Sequence, residues 1–573
     1  MSRCGGSRRR GVTVLAPLLC ALLSAGLISV AGRPWGLEPL AWVAFVPAFI
    51  VLPRSRSWLQ AGALAAVTAL GVTTLAFEAA AALGAHWHLF AVLVGALPFA
   101  AAGAAAWAVS RHLPGWLGFV ALALFWTAAE FVPAQSSLLG RYALPLSAIG
   151  YSQAGLPAMQ LARFGSVTAT SLALLLFNAA AARAWHAARS WTGATLRPRA
   201  GAGQPAVSVA ARTAAPTAVP GSGSPAVPSA GSLAFPVATM ALVTGLVGAA
   251  WLSAPAPTGP TFDVAIAQPN RLTAMLATAK AVDAVRDQVL AELTQLVDGA
   301  VLQNSAPRAL ASPFGGALRV SGPAYASTGA PDLVVFPEGS WPQSISLEAP
   351  AASLAPASVS ALAALPPSLV GAAGVTSSGA STNSAFLWSG HDLTHAYAKL
   401  HLVPIAEAGL QAGAPPRPVA VPTSAGGVMQ VAPFICYDVA FPQTVRRAVL
   451  AGAQLLAVLT DDAFAARGDV PHQHLRLARF RAVESGVPLA FSSNTGPSAL
   501  IRADGSLAAV TAAGEATFVR AELGAGAGPT PYLRYGDRVG ALTCLGAVLL
   551  TVLAVVTAAG KRGGVPSELT PAT

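Results

Sequence analysis

The sequence predicts two parts of different class on one chain: a multi-span α-helical membrane domain and an α/β domain. Three observations carry this. Of 573 residues, 54% are hydrophobic and only 10% charged, far from a soluble average. Apolar stretches long enough to cross a bilayer crowd the first 260 residues and return after 538. Between 261 and 535, short apolar runs instead alternate with helix-like segments, the pattern of an α/β domain. Charge divides the same way. Residues 1–260 hold 15 Lys/Arg against 3 Asp/Glu, whereas 261–535 hold 16 against 18. The formal net charge of +11 therefore belongs to the hydrophobic half, where basic residues mark loop topology, and no nucleic-acid partner is expected.

Taken in order, the apolar stretches run over about 11–31, 37–52, 59–83, 89–110, 116–132, 161–181, 233–252 and 539–560. The second is short, and Arg163 and Asn178 interrupt the sixth. The first has a basic flank like a signal peptide, yet further spans follow and no small-residue cleavage pattern stands out, so it reads as a retained helix. Six spans occupy 1–185, an Ala/Pro/Gly/Ser-rich disordered linker 186–232, a seventh span 233–254 and the last 538–560. With a cytoplasmic N-terminus, twelve arginines before the seventh span face the cytoplasm and only Arg33, Arg141 and Arg163 the other side. That bias places the linker on the cytoplasmic side and 261–535 on the opposite side of the membrane.

Within 261–535 the expected strands are 262–267, 332–336, 368–375, 384–388, 428–435, 455–460 and 488–494, with helices over 274–301 and 471–485 and a Gly-turn hairpin at 501–510. Cys436 ends the buried run V-M-Q-V-A-P-F-I, where α/β enzymes keep reactive groups. It is the only cysteine between 261 and 537, and the other three, Cys4, Cys20 and Cys544, offer no disulfide framework. A buried small hydrophobe is the plain alternative. Glu338 and Lys399 also sit at strand ends; a solvated charge is the usual reading of each, but together with Cys436 they supply a base, a cation and a nucleophile. A lysine beside the thiol is expected to lower its pKa.

The motifs F-P-E-G-S-W-P (336–342), Y-A-K-L-H-L-V-P-I-A-E (397–407) and F-I-C-Y-D-V-A-F-P (434–442) resemble, in that order, the Glu-Lys-Cys motifs of the carbon-nitrogen hydrolase (nitrilase) superfamily. The flanking spans narrow the resemblance to its apolipoprotein N-acyltransferase family. T-D-D-A-F (460–464), Q-H-L-R-L-A-R-F-R-A-V-E-S-G (473–486) and S-N-T-G-P-S (493–498) are similar as well. The resemblance implies an αββα sandwich and an acyl transfer without cofactor or metal. Cys436 would be the nucleophile, Glu338 the general base and then acid, and Lys399 the oxyanion stabiliser, aided by a backbone N–H near Tyr437. Glu407 and Asp438 would be auxiliary. The implied reaction is ping-pong: a membrane phospholipid gives an acyl chain to Cys436, and the α-amine of a diacylglyceryl-modified apolipoprotein takes it as an amide.

Trp341, Phe441 and Phe464 are candidates for an apolar lipid lining, with ordinary packing as the alternative. Three positions depart from the family pattern: Asp438 stands where Glu is usual, Ile405-Ala406 where Phe-Gly is common, and Asp461-Asp462-Ala463-Phe464 where Asn-Asp-x-Trp is common. His472 and His474 lack a third ligand at recognisable spacing and read as helix-surface residues. Arg481 and Glu484, three apart, read as a structural pair. Two other functions remain open at this point: a membrane-tethered amidase or nitrilase-type hydrolase, in which water resolves the thioester, and a non-catalytic scaffold.

Overall fold

The computed structural model describes residues 6–195, 231–254, 256, 259–271, 283–301, 310–311, 317–318, 329–463, 468–526 and 528–562. The membrane half contains α1 (Gly6–Ala31), α2 (Val46–Val51), α3 (Trp58–Ala76), α4 (Ala85–Ser110), α5 (Gly115–Phe131), the single turn α6 (Ser136–Leu139), α7 (Ala162–Thr195) and α8 (Gly231–Leu252). Five described helices are long and apolar enough to cross a membrane: Trp58–Ala76, Ala85–Ser110, Pro157–Arg189, Leu233–Leu252 and Arg538–Lys561. Two more, Leu15–Ala31 and Gly115–Phe131, are apolar but shorter. α7 runs on to Thr195, ten residues into the stretch expected to be linker, and 196–230 lie outside the described residues.

The second predicted span is not one helix. A 3₁₀ turn (Glu38–Trp42), α2 and a second 3₁₀ turn (Leu52–Arg54) follow one another, and each restarts at a proline: Pro39, Pro47 and Pro53. Proline has no N–H to extend a preceding helix but fits the first turn of a new one. The segment still connects both ends of the bundle. Glu38 meets Arg476 of the α/β domain, whereas Ser55 accepts a hydrogen bond from Trp107 Nε1 near the end of α4. Irregular backbone at that depth must be satisfied inside the protein. Asn178, which interrupts the sixth span, supplies this: its Oδ1 accepts from Phe45 N (2.9 Å) and its Nδ2 donates to Ala41 O (3.0 Å). Ser24 Oγ accepts from Ala48 N (3.0 Å). Ala41, Phe45, Ala48 and Phe49 are fully buried at the centre of the bundle.

The α/β half carries strands β1 (Thr261–Gln268), β2 (Leu310–Ala311), β3 (Ala317–Leu318), β4 (Leu333–Val335), β5 (Ile345–Ser346), β6 (Ser368–Val375), β7 (Ser381–Trp388), β8 (Leu393–Ala398), β9 (Val419–Pro422), β10 (Val428–Ile435), β11 (Leu455–Thr460), β12 (Leu489–Ser493), β13 (Ala499–Ile501), β14 (Leu507–Val510) and β15 (Thr517–Gly524). One sheet has the order β15-β1-β4-β6-β7-β8, with β5 also on β6; the other has β14-β13-β12-β11-β10-β9. Parallel pairs occupy the centre of each, β1/β4/β6 and β10/β11/β12. The inner faces meet through Val264, Ile266, Leu369, Val431, Leu455 and Leu459. α9 (Asp283–Val301) and α10 (Pro356–Ala363) cover the outer face of the first sheet. α11 (Pro442–Leu450) and α12 (Val470–Ser485) cover that of the second, and α13 (Pro531–Tyr535) leads to the final helix α14 (Arg538–Arg562). The layers are those of an αββα sandwich. Each helix layer buries the outer face of one sheet and the two inner faces bury each other, as β-strands with apolar residues on both sides require.

α12 is also the seat of the α/β domain on the bundle. Its Phe480 packs edge-on against Tyr151 (5.2 Å between ring centres), beside Met159, Ala162 and Val167. α7 breaks at Gly165 and Ser166, the latter at φ 58°. Glu484 of α12 fills the break, accepting from Ser166 Oγ (2.7 Å) and Val167 N (3.0 Å) while pairing with Arg481 (2.8 Å). The expected i, i+3 pair is present, and it caps a broken membrane helix as well.

Candidate active site

Parallel strands leave their carboxyl ends open at one edge, where loops are free to carry chemistry. Glu338 lies just after β4, Lys399 just after β8 and Cys436 just after β10, so three distant segments converge there. Lys399 Nζ lies 2.9 Å from Glu407 Oε1 and 3.4 Å from Glu338 Oε1, with only 1% of the lysine side chain exposed. Asn383 Nδ2 on β7 bridges the two carboxylates, at 2.5 Å from Glu338 and 3.1 Å from Glu407. Backbone donors complete them: Asp461 N binds Glu338 Oε2 (3.0 Å) and Val403 N binds Glu407 Oε2 (2.7 Å). Two carboxylates thus orient one ammonium, and each is itself pinned.

Cys436 is 4% exposed and has φ 48°, a left-handed conformation that costs a non-glycine residue about 1–3 kcal/mol. Asp438 holds the turn in that shape. Fully buried, it accepts from Tyr397 OH (2.8 Å), His401 N (2.8 Å) and Ile435 N (3.2 Å), and His401 Nδ1 lies 2.9 Å away. His401 in turn stacks on Phe441 at 3.7 Å between ring centres. The strand pairing Ile435↔Leu459 brings Thr460 to the same strand end as the thiol, and its hydroxyl donates to Asp462 Oδ1 at 3.3 Å.

Lys399 lowers the thiol pKa as expected, but it does not decide the net shift. Burial, reinforced by the Glu338 charge, pushes the Cys436 thiol well above its usual value, and Lys399 offsets only part of this. Burial also works against the Lys399 charge, but the Cys436 sulfur when ionised and the Glu338 and Glu407 carboxylates outweigh it and hold the ammonium above its ordinary pKa. The resting site is therefore a neutral thiol beside an ion-paired lysine. Such a thiol needs a base at the moment of attack, because no standing thiolate is present. Burial, with the Glu338 charge adding to it, raises Asp461 to about 6.

The sequence-predicted residues divide into those that converge and those that do not. Glu338, Lys399, Glu407, Cys436, Tyr437 and Asp438 come together. Trp341 does not: it is buried among Val334, Phe336 and Leu362 between the first sheet and its helices, so it is core packing and not lining. Phe441 is likewise buried, as the stacking partner of His401. Phe464 lies outside the described residues. His474 is not on a helix surface; it is buried, with Nδ1 2.7 Å from Asp462 Oδ1. Ile405 is exposed with φ 71°, a strained position for a β-branched residue. Asn383 and His401 join the site through tertiary contacts alone. A polar residue inside a buried strand was the available signal for Asn383, and the Y-A-K-L-H motif for His401. Among the described residues no three His, Cys, Asp or Glu side chains cluster as a metal site would require.

Known proteins match both halves. Residues 264–532 match the carbon-nitrogen hydrolase family, which fixes the class of the α/β domain. Residues 24–180 match the apolipoprotein N-acyltransferase N-terminal domain. An apolipoprotein N-acyltransferase of Geobacter metallireducens is 33% identical over 189 residues, covering 30% of this chain and 36% of that protein. One of Ralstonia nicotianae is 31% identical over 216 residues, covering 34% and 40%. The chain thus spans well under half the length of these relatives in either match. A solved carbon-nitrogen hydrolase of Helicobacter pylori G27 aligns at 16% identity and a TM-score of 0.33, over 49% of this chain and 92% of that one. The chain thus joins a carbon-nitrogen hydrolase domain to a region that matches the apolipoprotein N-acyltransferase N-terminal domain.

Proposed function

We propose that this membrane protein transfers an acyl chain from a membrane phospholipid to the N-terminal diacylglyceryl-cysteine of apolipoproteins, through a thioester on Cys436. The observation that carries the reading is the Lys399 ammonium, clamped by Glu338 and Glu407 beside a buried thiol in a domain seated on a bundle of apolar helices. As the phospholipid ester carbonyl arrives, Glu338 takes the thiol proton and the Cys436 sulfur bonds to the carbonyl carbon. Lys399 and a backbone N–H near Tyr437 stabilise the oxyanion; such a donor is worth about 3 kcal/mol. The ester C–O bond then breaks, and Glu338 returns its proton to the departing lysophospholipid oxygen. In the second half the lipoprotein α-amine attacks the thioester, the C–S bond breaks, and the amine proton passes through Glu338 to the sulfur. Burial of Cys436 keeps water from the thioester in the interval.

Basic residues support an extracytoplasmic active site. Arg54, Arg56 and Arg111 lie at the bundle end remote from the α/β domain, where Trp107 meets Ser55. A cytoplasmic location for that end follows the positive-inside bias and supports a catalytic domain on the periplasmic side of the inner membrane. Intact-mass measurement after incubation with phospholipid tests the chemistry. An acyl adduct that neutral hydroxylamine removes and Cys436→Ala lacks is expected. A folded wild-type preparation without adduct would refute acyl transfer from phospholipid, and an adduct resolved only to free fatty acid in the presence of diacylglyceryl-lipopeptide would make the protein a hydrolase.

A further inference from the structure

We infer that the bundle end opposite the α/β domain holds a second lipid site, which takes the phosphate of an anionic phospholipid and is separate from the acyl-donor site. A cavity of about 270 Å³ opens there, lined by Arg54, Arg56, Gln60, Trp185, His186 and Arg189, with no carboxylate among its lining residues. The cations come from two separated segments: the turn before α3 and the end of α7. Topological bias asks for basic residues on this side of a membrane but not for a hollow between them.

The site is partly preset. Arg54 Nη1 donates to Ile50 O (3.1 Å) and lies 2.6 Å from His186 Nε2, while Gln60 Oε1 holds the Arg56 backbone N–H at 2.8 Å. The Arg189 guanidinium lies 5.3 Å from the centre of the Trp185 ring. Arg54 and Arg189 are close enough to repel. An anion between them would relieve that repulsion and accept several N–H donors.

Phosphate is the shared chemistry of a lipid headgroup and a free anion, and two features favour the lipid. Trp58 and Trp185 are exposed at this level, as aromatic side chains are at the headgroup depth of a bilayer. Pro17 of α1 also lines the cavity, and Leu15, Leu19 and Leu22 on the same helix are about half exposed. Acyl chains would lie along that apolar stripe while the phosphate enters the arginine pocket, in the manner of basic pockets between membrane helices.

Native mass spectrometry of the full chain, titrated in detergent with phosphatidylglycerol or phosphatidylcholine, tests this. The wild type should bind the first phosphatidylglycerol more tightly by roughly ten-fold, the order expected from two arginines near a membrane surface. Arg56→Gln/Arg189→Gln should erase the preference while hydroxylamine-labile acylation of Cys436 persists; Arg54 is left in place because it holds the Ile50 carbonyl. Millimolar inorganic phosphate should not displace the lipid. An unchanged preference in the variant, or displacement by phosphate alone, would overturn the lipid site. Should the double variant fail to fold, hydrogen exchange of the wild type decides. Slower exchange at 52–60 and 185–189 in phosphatidylglycerol than in phosphatidylcholine nanodiscs supports the site, and equal exchange refutes it.

Discussion

Two buried charge clusters sit near opposite ends of the turn that carries the nucleophile, and they differ in how completely they are neutralised. Around Cys436, one ammonium faces two carboxylates and a thiol, and Glu338 and Glu407 stay 13% and 15% exposed. At the seat of the domain, Arg481 and Glu484 are 0% and 2% exposed and pair one to one. A single oxygen of Glu484 accepts from Arg481, Ser166 and Val167. The first cluster keeps acceptor capacity to spare, which a proton-transfer site needs. The second spends its charge on docking. They touch through one bond, Arg481 Nη1 to Ala440 O (3.3 Å), at the far end of the Cys436–Ala440 turn. Charge buried with a spare acceptor does chemistry, and charge fully matched holds parts together.

Substitutions should separate the two roles. The largest effects belong to the first cluster. Glu338→Gln should slow thioester formation by about 10²- to 10⁴-fold, the range for a positioned base, with the thermal midpoint close to wild type. Lys399→Met should cost about 10²- to 10³-fold by loss of the oxyanion donor, read as the rate of adduct appearance. Comparable unfolding in both variants would show that this cluster is structural after all.

Next comes the docking pair. Glu484→Ala leaves Arg481 buried and uncompensated, which should destabilise the protein by about 3–5 kcal/mol. Adding Arg481→Met should recover part of that loss, and a double variant no better than the single would show that Glu484 acts through Ser166 and Val167 alone. Acylation per folded molecule should fall far less than in Glu338→Gln.

Smaller still is Asn178→Leu, which leaves Phe45 N and Ala41 O without their partner inside the bundle, at about 1–3 kcal/mol. Thermal unfolding in detergent reads it; no loss would mean that the broken second span finds other partners.

The smallest effect is one of pH. Asp537 lies at the junction, where burial raises its carboxyl to about 7 despite hydrogen bonds from Thr168 and Gly540. In the unfolded chain the same group ionises in the ordinary carboxylate range, so the folded state holds the extra proton in between. Stability should therefore fall as pH rises from about 4 to about 7. Asp537→Asn should flatten that part of a melting-temperature profile, and an unchanged slope would assign it to other groups.

Much of this molecule was legible in the amino-acid order because it depends on local pattern. Apolar length marked the bundle; period and run length marked β1, β6, β10 and β11; motif order marked Glu338, Lys399 and Cys436. β15, by contrast, carries no such local mark, although it pairs with β1 along its whole length. Its short mixed run T-F-V-R-A-E-L-G becomes a strand through that antiparallel partner, which lies far away in sequence.

What the tertiary structure decided is every property that depends on which distant groups share a burial site. Composition could count Asn178 as a flaw in a span, but only the packed bundle shows it satisfying backbone that three prolines had released. The pairing of Glu484 with a break in α7, more than 300 residues away, has no local signature. The sign of the thiol's shift is the clearest case. A neighbouring lysine lowers it and burial raises it, and the outcome is a balance of opposing effects set by depth and distance, neither of which a sequence contains.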